Sequence, residues 1–209
     1  MADDPRRRLS REERRAQLVA LGREEVERVS FDGLSTDRVA EAAGISRGLL
    51  FHYFPTRDDF LVAIAVDAAD ELLEVLDPDA DAPALLQLRS SLAAYVEHIT
   101  ANRDTYLALI RGAAGGKPEL LAVFDRTRGV LADRILEGLD LSPDDDPRMR
   151  YLARGYIAFA EELAVTWLRD PAELGREDLL GTLELALLGM LGAVGVDLEP
   201  LLAEAASPS

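Results

Sequence analysis

The sequence predicts an all-α protein of about nine helices, with a small domain at 1–55 and a larger helical domain at 56–209. Three observations support this fold class. Apolar residues recur with the helical period along most of the chain, and breaks rich in Pro, Gly or Asp separate the periodic segments. No alternating run of β-branched residues is bounded by turn pairs, so no strand is predicted.

Three helices are expected before residue 54. Ser10 and Glu13 form a capping box that opens the first helix, which runs to about residue 30. The turn Phe31-Asp32-Gly33-Leu34 then reverses the chain. The second and third helices are short, and each begins after a serine that is a good N-cap.

The two short helices have the helix-turn-helix pattern. Ser35 caps the first, and Gly44 is expected to end it because glycine enters the left-handed conformation at little cost. Ser46 caps the second, at 47–53, and Leu50 falls on its buried side. Such a unit lays its second helix in the major groove of DNA, with the N-terminal residues of that helix at the base edges.

The rest of the chain keeps a helical period. Thr56, with Asp59 three residues later, caps a fourth helix that runs to about Leu76. The segment 77–83 is a stop and a linker. Further helices are predicted at about 84–101, 103–114, 118–140, 147–169 and 176–195, separated by breaks at Gly115-Gly116, 142–147 and 171–175.

Charge divides the chain unequally. Residues 1–57 hold 11 Arg and 10 acidic residues, a net charge of +1, whereas residues 58–209 hold 12 basic and 29 acidic residues, a net charge of −17. An acidic body is repelled by phosphate, so only the N-terminal end is expected to touch nucleic acid. Arg6, Arg7 and Arg8 either follow the DNA backbone or enter a minor groove, or they form only a solubilising tail.

The stretch FDGLSTDRVAEAAGISRGLLFHYFPTRDDFLVAI, preceded by a capped helix, resembles the DNA-binding domain of the TetR family of bacterial transcriptional regulators. The resemblance covers about residues 10–65, and the remainder agrees only in the number and layout of its helices. It implies a homodimeric repressor, bound to a double-stranded DNA operator and released by a small molecule in the C-terminal domain.

The recognition helix carries the residues expected to meet DNA. Arg47 can reach guanine O6 and N7 or a phosphate, and Leu49 offers a methyl contact to thymine. The resemblance implies that Gly48 lets the backbone come close to DNA and that Arg57 grips a phosphate. The remaining predicted contacts are hydroxyl, imidazole and phenol groups that can donate to phosphates, on Thr36, Ser46, His52 and Tyr53.

The C-terminal helices have more aromatic and aliphatic residues than one packed face each requires. Such a surplus fits either a cavity of ligand size or a fully packed core, and the residues alone do not separate the two. The resemblance favours a cavity, whose lining suits an apolar or amphipathic ligand. The candidate lining residues are Tyr95, Tyr106, Phe124, Tyr156, Phe159 and Trp167.

The predicted helix at 176–195 is apolar around more of its circumference than one core face can use. A helix of this kind must be buried on more than one side, either in the centre of one subunit or against a second copy. The resemblance favours the second copy, with the helix at 147–169 joining it in a four-helix interface. The predicted interface residues are Leu179, Leu183, Leu187, Met190 and Leu191.

Two other functional classes compete with a ligand-controlled regulator. An all-helical enzyme would need clustered titratable groups, and the sequence has no catalytic Ser-His-Asp or Cys-His set, Gly-rich phosphate loop or metal-ligand pattern. An architectural DNA-binding protein would leave two-thirds of the chain without a task. We expect no cofactor and no metal. Charged N-terminal residues without an apolar core, no cysteine and no membrane-length apolar run predict a soluble cytoplasmic protein.

Overall fold

The structure is a computed structural model of the chain that describes residues 9–29, 33–114 and 117–206. Three elements of the sequence interpretation lie outside these residues: Arg6 to Arg8, Phe31-Asp32 and Gly115-Gly116.

The described residues form ten α-helices and no strand, which confirms the all-α fold class. The helices are α1 (Arg11–Val29), α2 (Thr36–Ala42), α3 (Arg47–Tyr53), α4 (Arg57–Val75), α5 (Ala84–Ala101), α6 (Arg103–Ala114), α7 (Pro118–Gly138), α8 (Arg148–Arg169), α9 (Arg176–Ala193) and α10 (Glu199–Ala206). The expected number was one too few, because α10 follows a short break after α9 and was not predicted.

Capping interactions start α1 and α4 where the sequence places them. The backbone N–H of Ser10 donates to Glu13 Oε2 at 2.7 Å, and the N–H of Glu13 donates to Ser10 Oγ at 3.1 Å, which is a complete capping box. Thr56 and Asp59 make the same reciprocal pair at the start of α4. Pro147 precedes its helix rather than beginning it, as the N-cap of α8.

The first compact unit comprises residues up to Ala68 together with Asp104–Val123. Its core joins α1, α3 and α4 through fully buried side chains, which are Leu18, Val26, Leu50, Phe60, Leu61 and Ile64. Because α4 contributes to this core as far as Ala68, the division differs from the boundary expected between 55 and 56. Residues of α6 belong here too, and Thr105 donates from its hydroxyl to Glu27 of α1 at 2.7 Å.

The second unit comprises Ala69–Arg103 and Phe124–Ser209. Its core cluster is built by α7, α8 and α9, and contains Ala132, Leu136, Met149, Ala153, Tyr156, Ile157, Leu187 and Leu191. The buried hydroxyl of Tyr156 in α8 donates to the carbonyl of Leu183 in α9 at 3.0 Å. Burial, with the negative charge of Glu184, raises the pKa of Tyr156 well above its usual range, so the hydroxyl keeps its proton and remains a donor.

No helix in the described part of the chain is long and apolar enough to cross a membrane.

The close approach of α1 to α4 depends on Gly22. A Cβ at this position would lie 2.6 Å from Ile64 Cδ1 and 2.7 Å from Phe60 Cζ, and both of these side chains are fully buried. Forcing a methyl group into such a core costs about 1–3 kcal/mol. Replacing glycine by alanine in a helix interior returns about 1 kcal/mol, so the net effect at Gly22 is destabilising.

We therefore expect Gly22→Ala to lower the free energy of unfolding, measured by urea titration with far-ultraviolet circular dichroism. The matched control is Gly129→Ala in α7, where the new Cβ would meet only Arg154 Nη1 at an ordinary 3.5 Å. That variant should be as stable as the parent or more stable. A Gly22→Ala protein no less stable than the Gly129→Ala protein would contradict the packing argument.

Candidate nucleic-acid interface

The turn between α2 and α3 is built as the sequence predicts. Gly44 has a φ of 65°, the left-handed conformation that favours glycine. The N–H of Gly44 donates to Glu41 O and that of Ile45 to Ala40 O, both at 3.0 Å, so the end of α2 is satisfied by the turn itself. The hydroxyl of Ser46 then accepts from the N–H of Leu49 at 3.2 Å and starts α3.

One side chain anchors α3. Within Arg47–Tyr53, all of which the structure describes, Leu50 alone is buried. Arg47, Gly48, Leu49 and His52 are exposed, and Tyr53 is half-buried. The residues expected to meet DNA thus share the outward side of the helix, which is the arrangement that a recognition helix needs.

Gly48 is not required by the packing of the chain. A Cβ added there would meet a single described atom within 4 Å, Ser46 Oγ at 3.9 Å, and the backbone is not in the left-handed region. The interior of the protein would therefore accept a side chain at this position. Packing therefore does not explain a glycine at this position, and the expectation that Gly48 lets the backbone come close to DNA stays a prediction.

Arg47 is held on two sides. Its Nη1 donates to Asp37 Oδ2 of α2 at 3.3 Å, and its guanidinium carbon lies 5.4 Å from the centre of the Phe51 ring. Phe51 is one turn further along α3, on the same face. The sequence interpretation did not identify Asp37, because nothing local marks a pair that crosses the turn.

Two of the predicted phosphate contacts look different in the structure. Thr36 is only 7% exposed, since Ser35 takes the N-cap position and Thr36 turns inward with Val39 and Ala40. So little exposure does not support the predicted contact of Thr36 with a phosphate, which stays a prediction. Arg57 is half-buried, and its Nε donates to the carbonyl of Leu34 at 3.3 Å, which ties the start of α4 to the segment that precedes α2.

A buried acid lies behind the helix-turn-helix. Glu25 of α1 is almost fully enclosed, with Arg38 Nε 3.3 Å from its Oε1 and Arg28 Nη2 3.9 Å from its Oε2. Its Oε1 accepts no hydrogen bond from the described residues, although the charge of Arg38 is close. Sequence analysis did not identify Glu25, since a second glutamate beside Glu24 is typical of an exposed helix face.

The six residues predicted to line a ligand pocket are divided between the two units. Tyr106 belongs to the first unit, and Tyr95, Phe124, Tyr156, Phe159 and Trp167 belong to the second. Besides the Tyr156 hydroxyl, the indole N–H of Trp167 is used internally, because it donates to Leu174 O at 2.8 Å and closes the loop after α8. These two side chains are structural parts of the core, while Phe159 lies at the surface of α8.

The predicted dimer leucines are enclosed within a single chain. Leu179, Leu183, Leu187 and Leu191 have no exposed surface, and Met190 is half-buried against the core cluster. Assigning these four leucines to an interface was wrong, because their spacing points them into their own subunit. The exposed large apolar residues of α8 and α9 are others, namely Tyr151 (79% exposed), Phe159 (36%) and Leu185 (70%).

The chain matches two protein-family models. Residues 18–64 match the family described as bacterial regulatory proteins, tetR family, and residues 86–186 match the tetracyclin repressor-like C-terminal domain. A TetR-family transcriptional regulator from Streptomyces coelicolor is 29% identical, with a TM-score of 0.80 over 94% of this chain and 88% of its own.

More distant relatives agree with these matches. The HTH-type transcriptional activator FasR of Mycolicibacterium smegmatis is 22% identical over 88% of this chain and 85% of its own length. The fatty acid degradation regulator FadR of Bacillus halodurans is 14% identical and shares the fold, with a TM-score of 0.61 over 91% of this chain and 100% of its own. From the two domain matches, their order and the outward-facing α3, we conclude that this chain belongs to the TetR family of DNA-binding transcriptional regulators.

Proposed function

We propose that the protein is a homodimeric repressor that reads a palindromic DNA site with α3 and leaves it when a small molecule binds the C-terminal domain. The observation that carries this proposal is the single-anchor arrangement of α3, which turns Arg47, Gly48, Leu49 and His52 away from the core. These four residues are exposed, so the packing of the chain does not explain the composition of this surface.

Each outward residue has a chemical task on DNA. Arg47 binds the O6 and N7 atoms of guanine, and Leu49 contacts a thymine methyl group. His52, Tyr53 and the hydroxyl of Ser46 donate to phosphates, which fixes the register of the helix along the groove. The hydrogen bond from Arg57 to the carbonyl of Leu34 holds the Arg57 guanidinium at the helix-turn-helix, where its positive charge attracts a phosphate.

The second copy is proposed to pack on the outer faces of α8 and α9. The exposed residues of α8 at intervals of about one turn are Tyr151, Gly155, Phe159 and Glu162, and those of α9 are Asp178, Thr182, Leu185 and Gly189. Added Cβ atoms at Gly155 and Gly189 would meet no described atom within 4 Å, so these glycines leave space for another helix. Two recognition helices on successive major grooves, about 34–36 Å apart, would then read two half-sites.

The effector is proposed to be an apolar or amphipathic small molecule. Support comes from a relative, since the regulator from Bacillus halodurans carries fatty acid degradation in its name. Helix α4 contributes to both units and offers a continuous path for the effect of a ligand. Release of a selected duplex by added fatty acids or other amphipathic compounds gives a direct assay.

Selection from random DNA duplexes, followed by sequencing, tests the reading of DNA. The parent should enrich one palindrome. Arg47→Ala should weaken binding to it by about 1–3 kcal/mol and relax the choice of one base pair in each half-site.

Arg57→Ala should weaken binding to all duplexes alike and reduce the slope of log affinity against log salt by roughly one. Enrichment of no sequence by the parent would overturn the proposal, and equal loss of discrimination in both variants would remove their separate roles.

Transcription in vitro from a promoter that carries the selected palindrome tests whether the protein represses or activates. Repression predicts less transcript when the protein is added and recovery when the effector follows. A rise in transcript would place the protein with activators, the role that the name of the relative FasR states for that protein.

Gly48→Ala separates the needs of DNA binding from those of folding. An alanine at this open helical position should leave the stability unchanged or raise it by about 0.5–1 kcal/mol, as helix propensity predicts. Affinity for the palindrome should fall, because the methyl group stands where the DNA backbone or a base edge approaches. Gly129→Ala is the control that should change neither property adversely. Unaltered affinity of Gly48→Ala would show that DNA does not come close at this residue.

The dimer is tested with charges on the exposed faces of α8 and α9. The double variant Leu185→Glu with Phe159→Glu should sediment as a folded monomer and lose the palindrome, since charges cannot be buried unpaired in an apolar seam. Leu202→Glu in α10 is the matched control, as it places a charge on another exposed leucine, 49% exposed. A double variant that stays dimeric would move the interface to another surface.

A further inference from the structure

We infer that Asp37 is a positioning residue that gives Arg47 its base selectivity, an inference that rests on the proposed reading of DNA by α3. Asp37 stands in the first turn of α2 and Arg47 in the first turn of α3, so their pair bridges the two helices of the motif. The distance from Nη1 to Oδ2 is 3.3 Å, and the two side chains are 62% and 64% exposed.

Stability does not account for this pair. An ion pair with both partners so exposed contributes little to folding, because water screens it and both side chains lose freedom. A carboxylate on the side of the motif that faces DNA also repels phosphate and weakens binding to every sequence. Asp37 therefore carries a cost for affinity, and its benefit must lie elsewhere.

The benefit is the orientation of the Arg47 guanidinium. Asp37 takes Nη1, and the Phe51 ring supports the planar group at 5.4 Å. In the described part of the chain Arg47 makes no other side-chain hydrogen bond, so its Nε and Nη2 donors remain available. Two parallel N–H groups in a fixed plane match the O6 and N7 atoms of guanine.

Without the carboxylate the same arginine is a mobile cation. It can turn to phosphates on either side of the groove, where it gains affinity but reads no base. Asp37 acts against this in two ways, since it fixes one edge of the guanidinium and adds repulsion toward nearby phosphate. The Asp37–Arg47 pair thus lowers affinity for DNA of any sequence and raises discrimination between sequences.

The test compares selected and scrambled duplexes with the full-length protein, and selection from a random library with each variant. Asp37→Asn should raise affinity for scrambled duplexes and lower the ratio of specific to scrambled binding by about two- to fivefold, the range that one exposed ion pair supplies. The loss should concentrate at the base pair that Arg47→Ala relaxes.

Glu41→Gln is the matched control. Glu41 is an exposed acid on the same helix and has no ion pair within the described ranges, so its removal should raise general affinity without a change in the ratio. In the Arg47→Ala background, Asp37→Asn should no longer alter discrimination. Circular dichroism of each variant checks that the helices are kept.

The outcomes separate this inference from the proposed function. A parent that enriches no sequence overturns the reading of DNA by α3, and this inference with it. A parent that enriches a palindrome, beside an Asp37→Asn variant with an unchanged ratio, overturns only the role of Asp37. If Asp37→Asn still loses one C·G preference when Arg47 is alanine, Asp37 contacts the base itself and is not a positioning residue.

Discussion

The outward surface of α3 depends on the insertion of Leu50 into the core of the first unit. Helix α3 has seven residues, each described by the structure, and a helix of this length does not persist alone in water. Its partners are the Ser46 cap at one end and Phe54 at the other, whose ring lies 4.7 Å from that of Phe60. Phe60 in turn fills the space that Gly22 leaves on α1. The orientation of α3 therefore depends, through Phe54 and Phe60, on the absence of a side chain at Gly22 of α1.

Features fixed by neighbours in the chain could be predicted from the sequence. The capping pairs Ser10–Glu13 and Thr56–Asp59, the left-handed Gly44 and the buried Leu50 each follow from residues a few positions apart. Helix α10 was missed because the Gly195 turn reads as the end of the fold. Helix propensity and apolar periodicity describe one segment at a time. They do not show whether a further helix has a surface of the protein to pack against.

Features that depend on distant partners could not be predicted. The apolar excess of α9 indicated burial on several sides, but not that its own subunit would enclose Leu183 and Leu187 and leave Leu185 outside. The sequence likewise identified Arg47 without its partner Asp37, and did not single out Glu25 at all. The two acids differ in kind. The Asp37 carboxylate is exposed to solvent, whereas the Glu25 carboxylate is enclosed in the core beside Arg38 and Arg28, where loss of Arg38 would remove its nearer cation.

The hydrogen bond from Tyr156 to the Leu183 carbonyl gives α8 and α9 a fixed register. Apolar side chains tolerate small sliding because dispersion contacts can be exchanged for others, but a buried hydroxyl loses a directional hydrogen bond when its acceptor moves away. A slip of one helix along the other would strand the phenol in a medium without water. The hydrogen bond therefore opposes sliding of α8 along α9. An assembly built on these two helices would inherit their mutual geometry, and its switching would favour rotation or bending elsewhere in the chain.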